Sequence, residues 1–440
     1  MRKRLAWAAA LLALPAALTA QNQKMPPLPQ PTAPATAPLP AQNAPLRISL
    51  DDAIRLALQH NHALQAARTT ILQNQAQEVT ANFRPNPVLS WDTQFLPIFQ
   101  PSLFTTNYFE NQAQYDVGIG YLFERGKKRQ HRLQAAKDQT AVTQSTVTDN
   151  ERSLTFNVAQ QFVSVLLAQS ALDLAQQDYD SFQQTVNISE ARYKSGDMSE
   201  SDLLKIKLQL LQFQSDLNAA KLSKIQTLAA LRQLVGYESV PDAFDVQGDL
   251  DYKPVNGNLR DLRVLAMQNR PDLRAAQQGV VAARSQEALM EANGKKDLNV
   301  SFDFSRAGGV NSGTFFFNID LPIFDRNQGE IARTRFAITQ AQEQAIETAQ
   351  QVNTDVVDAY AALHASDEII QLYRGGYIDQ SKQSRDITEY AYKRGAASLL
   401  DFLDAERTYR ANQLAYRQAL ASYMTALEQL RQAVGTRNLP

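Results

Sequence analysis

Arg192-Tyr193-Lys194-Ser195-Gly196 and Ala391-Tyr392-Lys393-Arg394-Gly395 are one turn written twice, 199 residues apart. Asp202 and Asp401 each follow their glycine by six residues, and Leu204 matches Leu403. Both copies end alike, Leu231-Arg232-Gln233-Leu234-Val235-Gly236 against Leu430-Arg431-Gln432-Ala433-Val434-Gly435. Upstream, Phe123-Glu124-Arg125 matches Phe324-Asp325-Arg326 at a spacing of 201, and Leu64 before Ala66-Ala67 matches Leu273 before Ala275-Ala276 at 209. A shared spacing this long marks an internal duplication, not a short-period solenoid. The drift in offset places most of the length difference between the first helix and the second strand of each copy, where the first copy has the longer loop.

Within each copy the hydrophobic period changes in the same order. Leu50 to Asn82 reads as a helix that opens on an N-cap at Ser49. Alternation follows: Leu89, Trp91, Thr93 and Phe95 face one way, and Ser90, Asp92 and Gln94 the other. Ala113, Tyr115, Val117, Ile119 and Tyr121 alternate with Gln112, Gln114, Asp116, Gly118 and Gly120. The second copy sets Leu298, Val300, Phe302 and Phe304 against Asn299, Ser301, Asp303 and Ser305, then Phe317, Ile319 and Leu321 against Asn318 and Asp320. Strands of this length with one apolar and one polar face suit a transmembrane β-barrel, although a half-buried soluble sheet alternates in the same way. Four strands cannot close a water-filled barrel, since small barrels already need about eight. The barrel reading therefore requires an oligomer.

The helices are unusually long. Lys127 to Lys194 runs for 68 residues without proline or glycine, and Gln328 to Lys393 for 66, interrupted by Gly329 and Gly375-Gly376. Leu154, Val158, Phe162, Val165 and Leu172 keep one helical face apolar, as do Val352, Val356, Tyr360, Leu363 and Ile370. At 1.5 Å per residue, each would span about 100 Å. The shorter helices Leu50–Asn82 and Ser199–Val235, 33 and 37 residues, nearly equal the long one when placed end to end. Leu259–Asn293 and Leu399–Val434, 35 and 36 residues, do the same in the second copy. Two short helices stacked along one long helix describe a tall helical wall.

The start of the chain reads as an export signal. Arg2, Lys3 and Arg4 precede an apolar stretch from Leu5 to Leu18, and Ala20 supplies a small residue for cleavage. Eight prolines between Pro26 and Pro45 make the next segment extended. The expected organisation is a signal peptide (1–20), a Pro-rich segment (21–45), a first repeat (46–236), a connector (237–258), a second repeat (259–436) and a tail (437–440). With no cysteine, the chain holds neither disulfides, Cys-ligated metal nor a lipid on Cys. A formal charge of −1 gives no basic face for nucleic acid. Beyond Leu46 no run of 18 or more apolar residues occurs, so membrane entry would have to be as a barrel.

These features together resemble the TolC family of outer-membrane efflux proteins. The resemblance covers residues 46 to 436 and is carried by Asn269-Arg270-Pro271-Asp272-Leu273-Arg274-Ala275-Ala276, the two Tyr-x-x-Gly turns and Leu399-Leu400-Asp401-Phe402-Leu403-Asp404. Leu321-Pro322-Ile323-Phe324-Asp325-Arg326-Asn327-Gln328-Gly329-Glu330-Ile331-Ala332 is similar to the branch serving heavy-metal pumps of the resistance-nodulation-division type. The resemblance implies a mainly α fold with a small β part: a homotrimer with one shared 12-stranded barrel in outer-membrane lipid over a periplasmic α-barrel. It implies an exit duct fed by a periplasmic adaptor and an inner-membrane pump, with the connector in the equatorial belt. It places Asp401 and Asp404 in an acidic ring at the narrow periplasmic end, Tyr392 and its partner Asp202 in the contacts that hold that end shut, and Gly196 and Gly395 at the adaptor. A basic latch residue common in the family falls at Ala397, so this chain must close differently.

Asp401 and Asp404, three apart, would project from one helical face; they are also ordinary first-turn acids. No catalytic constellation, cofactor motif or nucleotide-binding loop is present, and His60, His62, His131 and His364 lack metal-ligand spacing. A passive duct needs none of these. A duct for a multidrug pump or a type I secretion system, and a periplasmic coiled-coil adaptor, are the alternative readings, and the exported substrate stays open.

Overall fold

The computed structural model describes residues 46–255 and 257–439. The expected signal peptide and Pro-rich segment lie outside the described residues. In order come β1 (Leu46–Ile48), α1 (Leu50–His60), α2 (His62–Ala81), β2 (Val88–Gln94), a short α3 (Thr106–Asn111), β3 (Gln114–Phe123), α4 (Lys128–Lys194) and α5 (Glu200–Val235). β4 (Phe244–Val246) stands in the connector. There follow α6 (Leu259–Asn269), α7 (Pro271–Asn293), β5 (Leu298–Ala307), β6 (Val310–Ile319), α8 (Gln328–Leu372), α9 (Ile378–Lys393) and α10 (Leu399–Val434).

The expected end-to-end stacking is present. α4 is one helix of 67 residues with α1, α2 and α5 packed along it, and α8 carries α6, α7 and α10. α4 also contacts α7 and α10, which joins the halves. By composition α4 is apolar enough to cross a membrane. Its Val158, Phe162, Val165 and Leu166 are instead buried with Ile54, Ala57, Leu231 and Val235, so it is a core helix. Each such fully buried side chain stabilises the fold by about 1.5–3 kcal/mol.

Several expected boundaries move. Leu50–Asn82 is two helices, because Asn61 adopts an extended backbone (ψ 116°) and caps α2 by accepting from Leu64 N–H at 3.0 Å. Leu259–Asn293 breaks likewise at Arg270, where Pro271 starts α7 and has no N–H to continue the ladder. The second long helix is interrupted by a π turn at Tyr373–Tyr377, in which Gly376 takes φ 106°. Ser49 caps α1 as expected, in a reciprocal capping box with Asp52. Phe95, Gln112, Ala113, Asp320 and Leu321 fall outside the strands, and Phe95 turns the chain away at φ 57°. The connector is structured: β4 pairs in parallel with β1, Ile48 opposite Val246.

Both helix breaks sit where the returning helix of the same half ends. Asn61 Nδ2 donates to Leu234 O at 3.0 Å, and Arg270 Nη1 donates to Ala433 O at 3.2 Å. The glycine after each returning helix abuts the break. Gly236 (φ 93°) lies so close to His60 that a Cβ would stand 3.0 Å from it, and Gly435 (φ 80°) is somewhat less tight on Asn269, at 3.3 Å. Arg270 is buried and also binds Asp272 at 2.9 and 2.5 Å and Asp355 at 2.9 Å, which ties α6, α7, α8 and α10 together.

The remaining strands form a sheet in the order β2-β3-β5-β6, antiparallel throughout. Trp91 lies opposite Val117, which lies opposite Phe304; Ile119 lies opposite Phe302, which faces Phe315. The period of two therefore puts these residues on one face, and Asp92, Asp116, Ser301, Asp303 and Thr314 on the other. Leu89, Trp91, Phe315 and Phe317 are largely exposed, so among the described residues nothing covers the apolar face.

The charged joint should matter more than the neutral one. Arg270→Ala leaves two carboxylates without their cation and is expected to cost about 3–5 kcal/mol in denaturant unfolding. Asn61→Ala removes neutral hydrogen bonds and is expected to cost about 1 kcal/mol. Equal losses would mean that Arg270 does not brace the second joint.

Candidate functional site

The tips of the two helical hairpins are built by the same local chemistry. After α4, Gly196 (φ 83°) reverses the chain, with Gly196 N–H donating to Tyr193 O at 3.1 Å and Asp197 N–H to Arg192 O at 2.8 Å. After α9, Gly395 (φ 77°) repeats this, with Gly395 N–H on Tyr392 O at 3.0 Å and Ala396 N–H on Ala391 O at 2.8 Å. This paired bonding is the Schellman helix stop, which requires a left-handed residue. Both glycines are exposed, and a Cβ on either would meet nothing within 4 Å. The backbone conformation requires them, and neighbouring packing does not.

Serines then restart the helices. Ser199 Oγ accepts from Asp202 N–H at 3.1 Å, and Ser398 Oγ accepts from Asp401 N–H at 3.2 Å. The Asp401 carboxylate returns the favour, accepting from Ser398 N–H at 3.1 Å and Oγ–H at 2.7 Å. Hydrogen bonds from Ser398 hold the Asp401 carboxyl below its ordinary range, and that from Ser199 does the same for Asp202. Both acids stay ionised at neutral pH. Asp404, one turn along, is exposed and paired with Arg407.

Tyr392 is buried and stacks on Phe402, centroids 5.2 Å apart and planes within 4°. Arg192 of the first tip lies over its ring at 5.7 Å. Burial pushes its hydroxyl pKa up, with Asp202 of the first tip adding to the rise and Arg192 opposing it. The Asp202 charge of the first hairpin is thus felt at Tyr392 of the second, whose buried hydroxyl has no hydrogen-bond partner among the described residues. Ala397 packs on the apolar cluster of Phe182, Val186, Ile206, Phe213, Tyr392, Leu399 and Phe402. No cation occupies the latch position.

Above this cluster lies a charge network that the linear sequence conceals. Arg410 on α10 donates to Asp178 on α4 at 2.9 Å and to Asp216 on α5 at 2.8 Å, and sits 4.1 Å over the Phe213 ring. Arg385 on α9 lies 3.9 Å from Glu406 on α10. Asp178 and Glu406 are buried, and burial raises both carboxyl pKa values despite the arginines. These residues come from four helices, up to 232 positions apart, so no local motif announces them.

At the other end of the molecule, the polar face of the sheet gathers acids. Asp92 lies opposite Asp116, and Gln94 Nε2 bridges them at 3.0 and 3.1 Å. The histidines fall elsewhere; His62 is paired with Glu238 at 3.4 Å. Among the described residues no cluster of His, Cys, Asp or Glu has the geometry of a metal site.

The family model described as outer membrane efflux protein matches residues 53–237 and 262–436. The cobalt-zinc-cadmium resistance protein CzcC of Cupriavidus metallidurans is 25% identical over 391 residues, 88% of each chain. The pyoverdine export outer membrane protein OpmQ of Pseudomonas putida is 24% identical over 412 residues, 88% of this chain and 85% of that one. Among solved structures, the Campylobacter jejuni CmeC outer membrane channel superposes with a TM-score of 0.74 at 17% identity, covering 88% of this chain and 85% of that one.

The tip should respond to pH through its buried acids. A carboxyl whose pKa is raised by folding favours the folded state most below the ordinary carboxylate range, and that benefit is lost as pH rises through the raised value. Asp401 and Asp202 run the other way: their stabilisation is present above the ordinary range and is lost as pH falls through the depressed values. Between neutral pH and mild acidity, amide-exchange protection of α9 and the first turns of α10 is expected to increase. Glu406→Gln should flatten that increase; an unchanged profile would show that Glu406 does not couple to tip stability.

Proposed function

This chain belongs to the outer membrane efflux protein family and is an outer-membrane exit duct of a tripartite efflux pump, and from that premise we propose that three copies form one duct for metal cations. The observation that carries the oligomer is the sheet. Among the described residues β2 and β6 each present an edge with no partner strand, and Leu89, Trp91, Phe315 and Phe317 on the apolar face are largely exposed. A lipid-exposed sheet cannot keep open edges. Pairing β6 of one copy with β2 of the next closes a barrel, and four strands from each of three copies make twelve. The apolar face then meets lipid, and Asp92, Asp116 and Asp303 line the lumen.

The helices descend from this barrel to the tips, where a periplasmic adaptor would seat on the exposed turns at Gly196 and Gly395. An inner-membrane pump of the resistance-nodulation-division type supplies the energy. Family members are channel proteins rather than enzymes. The metal reading is supported by the 321–332 stretch, by the relative named for cobalt, zinc and cadmium resistance, and by acids at both ends of the path. The relative named for pyoverdine export supports the rival, a small organic substrate.

At the periplasmic end, threefold symmetry multiplies Asp401 and Asp404 into a ring of carboxylates. Asp404 is locally balanced by Arg407, whereas Asp401 has only serine donors. Asp401 is therefore the larger source of negative potential. Charges about 8 Å apart in water interact by only about 0.5 kcal/mol per pair, so the effect is a sum over the ring and is strongest at low salt.

Single-channel recordings at low ionic strength are expected to show cation selectivity that Asp401→Asn weakens more than Asp404→Asn. Equal selectivity in both variants and the parent would remove these residues from the constriction. Cells lacking the chain are expected to lose tolerance of cobalt, zinc or cadmium. Unchanged metal tolerance with lost export of a small organic chelator would establish the rival substrate instead.

Docking has its own test. Gly196→Val and Gly395→Val force a β-branched residue into a left-handed backbone, which costs about 1–2 kcal/mol locally. Pump-dependent tolerance should fall while heat-modifiable trimers persist on gels. Loss of the trimer as well would make the two glycines structural only.

A further inference from the structure

The two strand hairpins end very differently. Gly308 and Gly309 alone join β5 to β6, at φ 56° and 80°, whereas residues 95–113 join β2 to β3. From Phe95 to Phe109 this longer loop reads Phe-Leu-Pro-Ile-Phe-Gln-Pro-Ser-Leu-Phe-Thr-Thr-Asn-Tyr-Phe, with no acidic, basic or histidine residue. Its large side chains point outward: Phe99 is 97% exposed, Ile98 65%, Phe95 64% and Phe104 53%. An uncharged apolar patch of this kind marks an interaction surface.

We propose that this loop is an outer-leaflet anchor, with Phe95, Ile98, Phe99 and Phe104 seated in the acyl-chain region just beneath the lipid headgroups. The inference rests on the lipid-facing assignment of the sheet's apolar face made above. Three observations favour hydrocarbon as the occupant. First, the loop leaves directly from β2, whose Leu89 and Trp91 are 76% and 77% exposed on that face, and Phe95 follows the end of the strand at 64% exposure. Second, from Phe95 to Phe109 no charge adds a desolvation cost, and the one acidic residue of the loop, exposed Glu110, lies beyond the apolar stretch in α3.

Third, the loop satisfies much of its own backbone. Gln100 N–H donates to Pro97 O at 3.0 Å, Leu103 N–H to Gln100 O at 3.0 Å, Phe104 N–H to Pro101 O at 3.2 Å and Phe109 N–H to Thr105 O at 3.2 Å. Lipid-exposed irregular backbone does not enter the hydrocarbon region, so the backbone of the loop stays at headgroup level, where these turns leave fewer amides unpaired, and only the side chains reach the acyl chains. The form is also held from within, by edge-on packing of Phe104 and Phe109 at 5.7 Å. Asn111 O lies 3.7 Å from where a Gly308 Cβ would stand, which rests the loop's return against the neighbouring hairpin. The hairpin at Gly308-Gly309 has no residues to spare for such a role.

Tryptophan reporters in the full trimer test this. Trp91 is the only tryptophan among the described residues, so Trp7→Phe leaves it as the reporter of the sheet face. Adding Trp91→Phe and Phe99→Trp, or Phe104→Trp as a second position, moves the reporter to the loop. Each protein is reconstituted into phosphatidylcholine vesicles with plain or brominated acyl chains, and aqueous iodide is the opposing quencher. Blue-shifted loop emission that bromolipid quenches strongly and iodide does not is the expected result. If Trp91 is quenched by bromolipid but neither loop reporter is, the loop lies over the barrel mouth or on a neighbouring copy and the anchor proposal is wrong. If Trp91 itself escapes bromolipid, the lipid-facing reading of the sheet fails, and the anchor falls with it.

Discussion

The structure depends on a joint, the place in each half where two helices meet end to end beside a third. α4 exposes an apolar stripe too long for any single flanking helix, so α1, α2 and α5 must share it. Where helices meet, the last carbonyls of one crowd the break of another, and those carbonyls have no partners of their own. Both halves solve this identically. A glycine at positive φ, Gly236 or Gly435, lets the returning chain leave while touching the break, and a side chain at the break, Asn61 or Arg270, takes up a terminal carbonyl. The connector then seals both joints: Val240, Phe244 and Val246 bury against the first half, and Tyr423 OH donates to Lys253 O at 2.7 Å in the second.

Interior chemistry changes with distance from the joint. Around it the core is largely aliphatic, with Val158, Val165, Leu231, Val235, Val352 and Val356 fully buried, and the Arg270 ion pairs with Asp272 and Asp355 form a charged cluster at the second joint. Towards the tips, the same bundle buries Asp178 and Glu406 among arginines and stacked aromatic rings. Buried ion pairs gain little net stability, because desolvation offsets their attraction, but they hold a defined geometry. A duct needs this gradient: a stiff middle that keeps the wall upright, and ends whose packing is held by interactions close to balance. At the opposite end the apolar face of the sheet is exposed, with no interior among the described residues.

Much of this was legible in the sequence because duplication doubles every signal. Gly196 and Gly395 could be read as turns since each validated the other, and Ser49 announced its helix through Asp52. The polar series Asp92, Asp116 and Asp303 emerged from period two alone. The helix breaks at Asn61 and Arg270 were missed although signals existed: Pro271 favours a first helical position over an interior one, and Asn is a good cap. The β1–β4 pairing and the Arg410 network were not legible, because three-residue strands carry no period and the network's members lie on four helices. The missing latch at Ala397 was visible as an absence. The aromatic stack of Tyr392 on Phe402, which packs against that position, required coordinates.

The halves share a plan but not a stiffness. In the first, α4 runs 67 residues without interruption and contacts elements of both halves. In the second, the matching rail is cut at Tyr373–Tyr377, where Gly376 leaves helical geometry and the flanking Leu372 and Tyr377 are exposed. A π turn with a glycine at φ 106° concentrates bending in a few residues, whereas an intact helix spreads it along the whole length. The segment below the cut, α9, packs chiefly on α10 and carries Tyr392 at its end. The second joint is also the one braced by a buried arginine with two carboxylates, while the first relies on a neutral asparagine. Strength above and compliance below therefore coincide in the same half. A helix interrupted at one turn concentrates bending there, and that turn lies on the tip side of the Arg270 anchor.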